Sequence, residues 1–551
     1  MKTIRCRPYF PVIFAVVLVL GVLLGLSLNL GRDSQRQERQ FFSIGFNQFN
    51  KVNEIISYIY ESYVDSINRD QLTDDAIVSL LQTLDPHSSY IPAADFRQLN
   101  DPLMGSFEGI GIEFNMITDT VVVINPIAGG PSEKIGLMAG DRIIKVEGET
   151  IAGINKASGE VVRLLKGPKG TTVTVSILRR GVDDLIDFTI TRDEIPSHSL
   201  DVAYMIDSET GYIKLGKFSA TTHQEFLSAL ERLKSEGMEQ MILDLRGNGG
   251  GFLEASIHLA DEFLSPGSLI VYTEGHRRPT MHFHARRAGG FETQPLIVLI
   301  DEWSASASEI IAGAVQDHDR GIIIGRRSFG KGLVQEQVQL GDGSALRLTV
   351  ARYYTPSGRS IQKPYDNGSE EYYADFLRRY LEGELEYQDS IRNIDTLRFK
   401  TASGRIVYGG GGISPDIFVP IQTADQSDYF IQIANRGLIY RFAFDYTDLN
   451  RTRLAGYENA QNFIANFQID ANITRQLIAF SERNGVPFNT REFNAARKSI
   501  ETQLKAFIGR NLFGNDAFYP VLNMNDPAVT RALEVFQSND MTTYLRPPVG
   551  N

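Results

Sequence analysis

The sequence predicts an α/β multidomain protein, with a mixed α/β core, a small antiparallel β unit ahead of it and helical regions at both ends. Three observations predict this. The chain has 551 residues, and at about 150 residues per domain that length makes three or four folded units. Between about 195 and 424, apolar strand runs (QMILDLR, PLIVLI, GIIIG) alternate with helical patterns (FLEASIHLADEFL, ASEIIAGAVQDH), the signature of parallel βα units buried between helices. Outside this stretch the hydrophobic period changes, to short alternating runs before it and to i, i+3, i+4 spacing after it.

Composition narrows the function classes. With 42% hydrophobic and 22% charged residues, neither wholesale disorder nor a multi-span membrane protein fits. Lys plus Arg minus Asp plus Glu is 55 − 67 = −12, which argues against a nucleic-acid partner, because phosphate binding leans on positive charge. The single cysteine, Cys6, excludes an internal disulfide framework and any site built from several thiolates.

Taken in order, residues 1–40 hold a basic start (Lys2, Arg5, Arg7), an uncharged apolar run from Val12 to Leu30 and a polar linker. The run is long enough to span a bilayer as one transmembrane helix, and the basic flank sets the amino terminus in the cytoplasm. Cleavage as a signal peptide is the competing outcome, but no A-x-A follows the run. Residues 41–100 carry helical spacing, with Phe46, Phe49, Ile55, Ile56, Ile59 and Tyr60 recurring on one face. Residues 101–194 read as short strands with Gly turns (GIGIEF, TVVVINP, DRIIKVEG, TVTVSILRR). The α/β core follows over 195–424, with a Tyr-, Glu- and Arg-rich amphipathic insertion at 365–400, and residues 425–551 are helical again.

Three strand ends in the core carry chemistry. After LIVLI, a helix opens near Ser306, and Ser306-x-x-Glu309 reads as a capping box. That places Ser306 where backbone N–H groups and the helix dipole favour negative charge, as an alkoxide or tetrahedral oxyanion requires. After LDLR, Gly247, Gly249, Gly250 and Gly251 let the backbone approach a ligand with N–H groups free to donate. A dinucleotide loop is a poor match there, because Phe252 stands where a third Gly or Ala is wanted. After GIIIG, Gly325-x-x-x-x-Gly330-Lys331 imitates a P-loop, yet residue 332 is Gly and a strand pattern follows. Lys331 lies in an apolar, Gly-rich stretch where desolvation lowers its pKa and permits a neutral amine able to deprotonate a serine. On a strand, Lys331 and Gln335 share a face, so Gln335 is placed to hold the lysine.

Histidine offers no equivalent. His318 lies twelve residues beyond Ser306, roughly 18 Å along a continuous helix, and neighbouring Asp317 suits a structural pair. His276, His282 and His284 lack a carboxylate or thiolate that would complete a metal site; they read as solvated loop. Arg277, Arg278, Arg286 and Arg287 form a local basic patch there.

These residues resemble the carboxy-terminal processing proteases, also called tail-specific proteases, a group of Ser-Lys endopeptidases of the S41 type with a built-in PDZ domain. The resemblance covers roughly residues 50 to 424. It is carried by Ser304-Ala-Ser-Ala-Ser-Glu309, Phe329-Gly-Lys-Gly-x-Val-Gln335, Leu245-Arg-Gly-Asn-Gly-Gly-Gly251 and Gly412-Ile-Ser-Pro-Asp416. It implies a ClpP/crotonase-like core with Ser306 as nucleophile, Lys331 as general base and Gln335 positioning the lysine. It also implies an oxyanion hole from the N–H of Ala307 and of Gly250 or Gly251, with no metal or organic cofactor. The family often has Pro at position 249, where this chain has Gly. Residues 101–194 resemble a PDZ domain of the circularly permuted bacterial kind, with Phe107-Glu-Gly-Ile-Gly-Ile-Glu-Phe114 as its carboxylate-binding loop and Gly136-Leu-Met-Ala-Gly-Asp141 as its later hallmark. Free N–H groups around Gly109, Ile110, Gly111 and Ile112 would grip a terminal carboxylate while the peptide adds as a strand. Lys166 falls near a basic residue that in some members senses the occupied PDZ domain.

The expected protein is therefore a serine endopeptidase that takes flexible, apolar carboxy-terminal tails of proteins. It would be anchored in the inner membrane with its catalytic part in the periplasm, or secreted there if the amino-terminal segment is removed. A homo-oligomer or an adaptor protein is a further expected partner. The rivals are a catalytically silent, membrane-tethered PDZ adaptor and a crotonase-like acyl-CoA enzyme. The first does not need Ser306, Lys331 and Gln335 together, and the second leaves the PDZ unit without a purpose.

Overall fold

A computed structural model describes residues 50–392, 396–422, 427–538 and 541–546. The apolar run from Val12 to Leu30 lies outside them; among the described residues no helix is long and apolar enough to cross a membrane. The chain forms two compact units, one ending at Asp75 and the other running from Ala76 onward.

In the first unit, α1 (Asn50–Ser62) precedes α2 (Arg69–Gln82), which crosses the boundary. The expected helical period is present in α1, but of its apolar stripe only Ile56 is buried, while Ile55 and Tyr60 are exposed.

The second unit opens with β1 (Ser89–Ile91) and α3 (Ala93–Met104). At three residues β1 is too short to leave a period in a stretch that otherwise reads as helical. The small β unit follows. Strands β2 (Ser106–Gly109), β3 (Ile112–Met116), β4 (Val121–Pro126) and β5 (Arg142–Val146), helix α4 (Ser158–Leu165), then β6 (Thr172–Leu178), β7 (Ile186–Thr191) and β8 (Asp193–Pro196) complete it. The sheet runs β3-β4-β5-β6-β7, all antiparallel, and β2 pairs with β8 as a separate ribbon. Val121, Val123, Ile143, Val161 and Val175 fill one apolar cluster beneath α4. Because β3 is a sheet edge, one side of it is open to another strand.

The α/β core is a six-stranded sheet built from β9 (Leu200–Met205), β10 (Thr210–Leu215), α5 (Thr222–Ser235), β11 (Gln240–Asp244) and α6 (Leu253–Ala260), continued after β12 (Leu269–Gly275) and β13 (Arg278–His284) by β14 (Leu296–Ile300), α7 (Ala307–Asp317) and β15 (Ile322–Gly325). Two further strands, β16 (Leu333–Gln339) and β17 (Ala345–Tyr354), the insertion helix α8 (Ser369–Leu381) and the last strand β18 (Ile417–Phe418) follow. Sheet order is β9-β10-β11-β14-β15-β18, parallel except for β9 against β10. A second sheet, β1-β17-β12-β13 with β16 also paired to β17, stands beside it. Leu296 to Ile300 are buried throughout, as expected of a strand covered on both faces.

Helices α5, α6 and α7 cover one face of the six-stranded sheet. The other face is covered from far along the chain: the helix Pro527–Gln537 lays Ala528, Val529, Ala532 and Val535 against Ile242, Ile297 and Ile322. Its capping residue Asp526 is paired with Arg246 at 2.8 Å. Between β18 and that helix, the remaining carboxy-terminal helices form an apolar cluster of their own around Phe442, Phe463, Leu477, Phe493 and Leu504.

Candidate active site

The tight turn between β14 and α7 places Ser306. Asp301, buried at its start, accepts the N–H groups of Trp303 and Ser304 at 3.1 Å each and that of Gly247 at 2.9 Å. Ser304 Oγ donates to Leu245 O at 2.9 Å. The serine turn is thus fastened to the glycine loop after β11. Asn248 completes the joint: its carbonyl accepts from Ala305 N and Ser308 Oγ at 3.0 and 2.9 Å, and its side chain binds Leu215 O and Gly250 N at 2.9 Å each. Gly250 has φ +99°, and a Cβ there would lie 2.7 Å from Ser306 Cβ, so no side chain fits.

Ser306 itself has φ +55° and ψ −112°, a strained conformation for a non-glycine residue that costs about 1–3 kcal/mol. Ser306 N donates to Glu309 Oε2 at 2.8 Å, the Glu309 side of the expected capping box.

Glu309 does more than close a helix end. Fully buried, it accepts from Ser306 N and Lys331 N with Oε2 (2.8 and 2.9 Å) and from Ser328 Oγ and Gly330 N with Oε1 (2.5 and 2.8 Å). Burial pushes it up to about 7 against the pull of those four donors. A second bridge is buried Tyr353 on β17, whose hydroxyl lies 3.1 Å from Ser306 O and 2.7 Å from Lys331 O. One carboxylate and one phenol therefore fix the serine and lysine backbones relative to one another.

Lys331 lies in the turn just before β16, and its Nζ donates to Gln335 Oε1 at 3.0 Å. Simple strand alternation is not the cause, because the register against β17 shifts between Val334 and Gln335. A bulge of this kind re-aims a side chain. Gln335 Nε2 in turn donates to the His87 carbonyl at 2.6 Å. Burial, and then the positive Arg347, hold the Lys331 ammonium below the ordinary lysine range, with Glu309 and Asp85 opposing.

Of the expected oxyanion donors, Gly250 N is engaged with Asn248 Oδ1. Among the described residues the N–H groups of Gly251 and Ala307 have no such partner. A Cβ at Gly250 would approach Ala307 N to 3.0 Å, so the glycine loop lies directly against the first turn of α7.

In the β unit, Gly109-Ile110-Gly111-Ile112 turns from β2 into β3. Ser132 fixes this turn through N and Oγ, both donating to Ile110 O at 3.2 and 2.5 Å. Gly111 has φ +72°, and a Cβ would meet Ile195 Cδ1 at 2.9 Å. Ile112 and Phe114 pack in the same cluster as Val161 and Leu165 of α4, which sets the open edge of β3 beside that helix. Lys166, just beyond α4, pairs with Asp101 of α3 at 3.1 Å and lies 4.7 Å from the Phe107 ring.

Family models match this chain in four places: peptidase family S41 over residues 209–368, a PDZ domain over 109–190, the N-terminal domain of the activating protease CtpB over 27–94 and a family of unknown function over 429–514. A carboxy-terminal-processing protease of Bartonella bacilliformis is 39% identical over 352 residues, which are 63% of this chain and 80% of that protein. The chain belongs to the carboxy-terminal processing protease family. The carboxy-terminal processing protease CtpA of Bacillus subtilis is 35% identical over 64% of this chain and 75% of its own length. Among solved structures, the photosystem II D1 C-terminal processing protease aligns with 68% of this chain at 27% identity, with a TM-score of 0.36. As a family member the chain is a serine-type peptidase with a PDZ domain.

The histidines, Asp317 and the basic patch considered from the sequence take other partners. His318 closes the far end of α7 and bonds Leu269 O at 2.6 Å. Asp317 is buried against Arg359 at 2.8 Å. His282 and His284 are exposed on β13, a strand rather than a loop, where His282 stacks on Tyr272 at 5.2 Å. The basic patch is partly neutralised, since Arg287 pairs with Glu262 at 2.6 Å and Arg278 with Glu336. Trp303, half exposed beside the serine turn, lies 4.8 Å from Phe376 of α8. The sequence reading missed the roles of Glu309, Tyr353, Asn248 and His87.

Proposed function

We propose that the protein cuts other proteins near their free carboxy termini by a Ser-Lys mechanism, with the PDZ domain capturing the tail. The observation that carries this reading is the double bridge of Glu309 and Tyr353 between the backbones of Ser306 and Lys331. Neutral Lys331 takes the proton of Ser306, and the alkoxide attacks the scissile carbonyl. The N–H groups of Ala307 and Gly251 hold the oxyanion. Protonated Lys331 returns the proton to the leaving amine, and water repeats the cycle on the acyl-enzyme. Gln335 keeps the amine aimed throughout. The tail carboxylate binds at Gly109 to Ile112, and the tail adds as a strand to the free edge of β3. The apolar run from Val12 to Leu30 would anchor this machinery on the far side of the inner membrane.

The test uses the full chain and an unfolded reporter polypeptide ending in apolar residues. A serine-directed fluorophosphonate is expected to leave one covalent adduct, on the peptide containing Ser306. Product masses are expected to report cuts near the reporter's carboxy terminus, with KM about tenfold higher when that terminus is amidated. An adduct elsewhere, or tail binding without cleavage, would overturn the reading; the latter is the behaviour of a tethered adaptor.

The lysine gives a pH prediction with a definite sign. Arg347 lowers the Lys331 pKa by disfavouring the ammonium, so Arg347→Ala raises it. The rising limb of the kcat–pH profile should then move to higher pH. Activity on the acid side of that limb should fall about threefold and return to the parental plateau at higher pH. A limb that moves to lower pH, or a uniform fall at all pH values, would contradict Lys331 as the base.

A further inference from the structure

The amphipathic insertion 365–400 has had no role so far. Its helix α8 buries Tyr372, Asp375 and Arg379, one face at i, i+3 and i+7 spacing. That face delivers Tyr372 to the loop Asp85–Ser88. The Tyr372 hydroxyl lies 2.8 Å from a ring nitrogen of His87, and the two rings meet edge to face at 5.2 Å. The next residue, Tyr373, donates its hydroxyl to Pro86 O at 2.7 Å. On the opposite side the loop is held by Asp85, which accepts from His87 N and Ser88 N at 2.8 and 2.9 Å and from Thr349 Oγ1 of β17 at 3.0 Å. The His87 carbonyl is thus clamped between α8 and β17.

That carbonyl is the partner of Gln335 Nε2 at 2.6 Å. A carbonyl only accepts, so it dictates which end of the Gln335 amide faces it. The other end, Oε1, then has to face Lys331 Nζ, at 3.0 Å. Without the His87 carbonyl the amide is free to turn its NH2 toward the lysine, where it opposes the ammonium and, in the neutral form, occupies the lone pair that must take the serine proton. Burial and the charge of Lys331 push the His87 ring down to about 4, so at working pH it adds no charge beside the amine.

We propose that Tyr372 and His87 are positioning residues for the reaction: the insertion helix fixes the His87 carbonyl, the carbonyl orients Gln335, and Gln335 aims Lys331. This rests on the Ser-Lys reading above. It makes α8 part of the catalytic apparatus, though none of its residues touches the reacting atoms.

The experiment is a double-mutant cycle in the full chain, reading kcat and KM on the reporter polypeptide. Tyr372→Phe, which keeps the ring and removes the hydroxyl, is expected to lower kcat about tenfold with KM unchanged. In a Gln335→Ala background the same change is expected to have no further effect. His87→Gln, which retains a side-chain acceptor, should keep more activity than His87→Ala; if Tyr372→Phe fails to fold, the cycle is run with His87→Gln. Full activity of Tyr372→Phe, a change confined to KM, or an undiminished loss in the Gln335→Ala background would each overturn the proposal. Cleavage that survives Ser306→Ala would instead overturn the Ser-Lys reading, and this inference with it.

Discussion

Alanine at Ser306 or at Lys331 is expected to lower kcat by about 10⁴-fold or more, and the double replacement to be no worse than either single one. Non-additivity follows from the proposed mechanism, in which the hydroxyl and the amine act as one unit because an alkoxide forms only as the amine takes its proton. Once either is gone, what remains is the binding of the tail and the N–H donors of Gly251 and Ala307, and these are common to all three variants. KM for a tail with a free carboxylate should barely move, since the proposed carboxylate site around Gly111 is on different elements from Ser306. Product masses over time, with tail binding measured in parallel, check this. A Lys331→Ala enzyme that retains a tenth of parental kcat would mean that another group accepts the proton.

The parts of this site that were legible in the sequence are those written locally. Lys331 and Gln335 are four residues apart, and the Ser306 turn and the Gly247–Gly251 loop each follow an apolar strand run whose period announces it. Strand alternation predicted the Lys331–Gln335 contact for a reason the fold does not use, since a bulge intervenes at Val334. Distant partners left no local trace. Glu309 reads as a helix cap because one of its four donors, Ser306 N, is local; the other three come from residues 328 to 331. His87 is 248 residues from the glutamine it orients, and Tyr353 looks like any alternating strand residue. The same holds for the fold. The parallel βα units were readable, but the cover of the second sheet face comes from Pro527–Gln537, more than a hundred residues after β18. An amphipathic helix does not state which surface it will meet.

Glu309→Gln is expected to be the most damaging change outside the nucleophile and base, lowering kcat about 10²- to 10³-fold. The carboxylate accepts four donors, two per oxygen. An amide has one oxygen, so whichever way it turns, two donors face an NH2 group and are left unsatisfied in a buried site, at about 1–3 kcal/mol each. If the amide nitrogen takes the Oε2 position, the orphaned groups are Ser306 N and Lys331 N, and the bridge between the two functional segments opens. If it takes the Oε1 position, the turn at Ser328 to Gly330 that delivers the lysine loosens instead. The pH dependence separates this from general damage. Burial raises Glu309 to about 7, so the ionised form that accepts all four donors is complete only above that pH. Activity should therefore rise with pH through two ionisations, that of Glu309 near 7 and that of Lys331, and the glutamine variant should lose the Glu309 step and keep the Lys331 step. The stability sign is opposite. A carboxyl raised in the fold contributes stability below its ordinary value of 4.5 that is lost as pH rises through about 7. The form of the site able to cut is its less stable form. A kcat–pH profile of the variant that is unchanged in shape would argue against a role for the Glu309 carboxylate, whereas loss of one step alone, with the Lys331 limb in place, would establish the carboxylate as the clamp that holds serine and lysine in register.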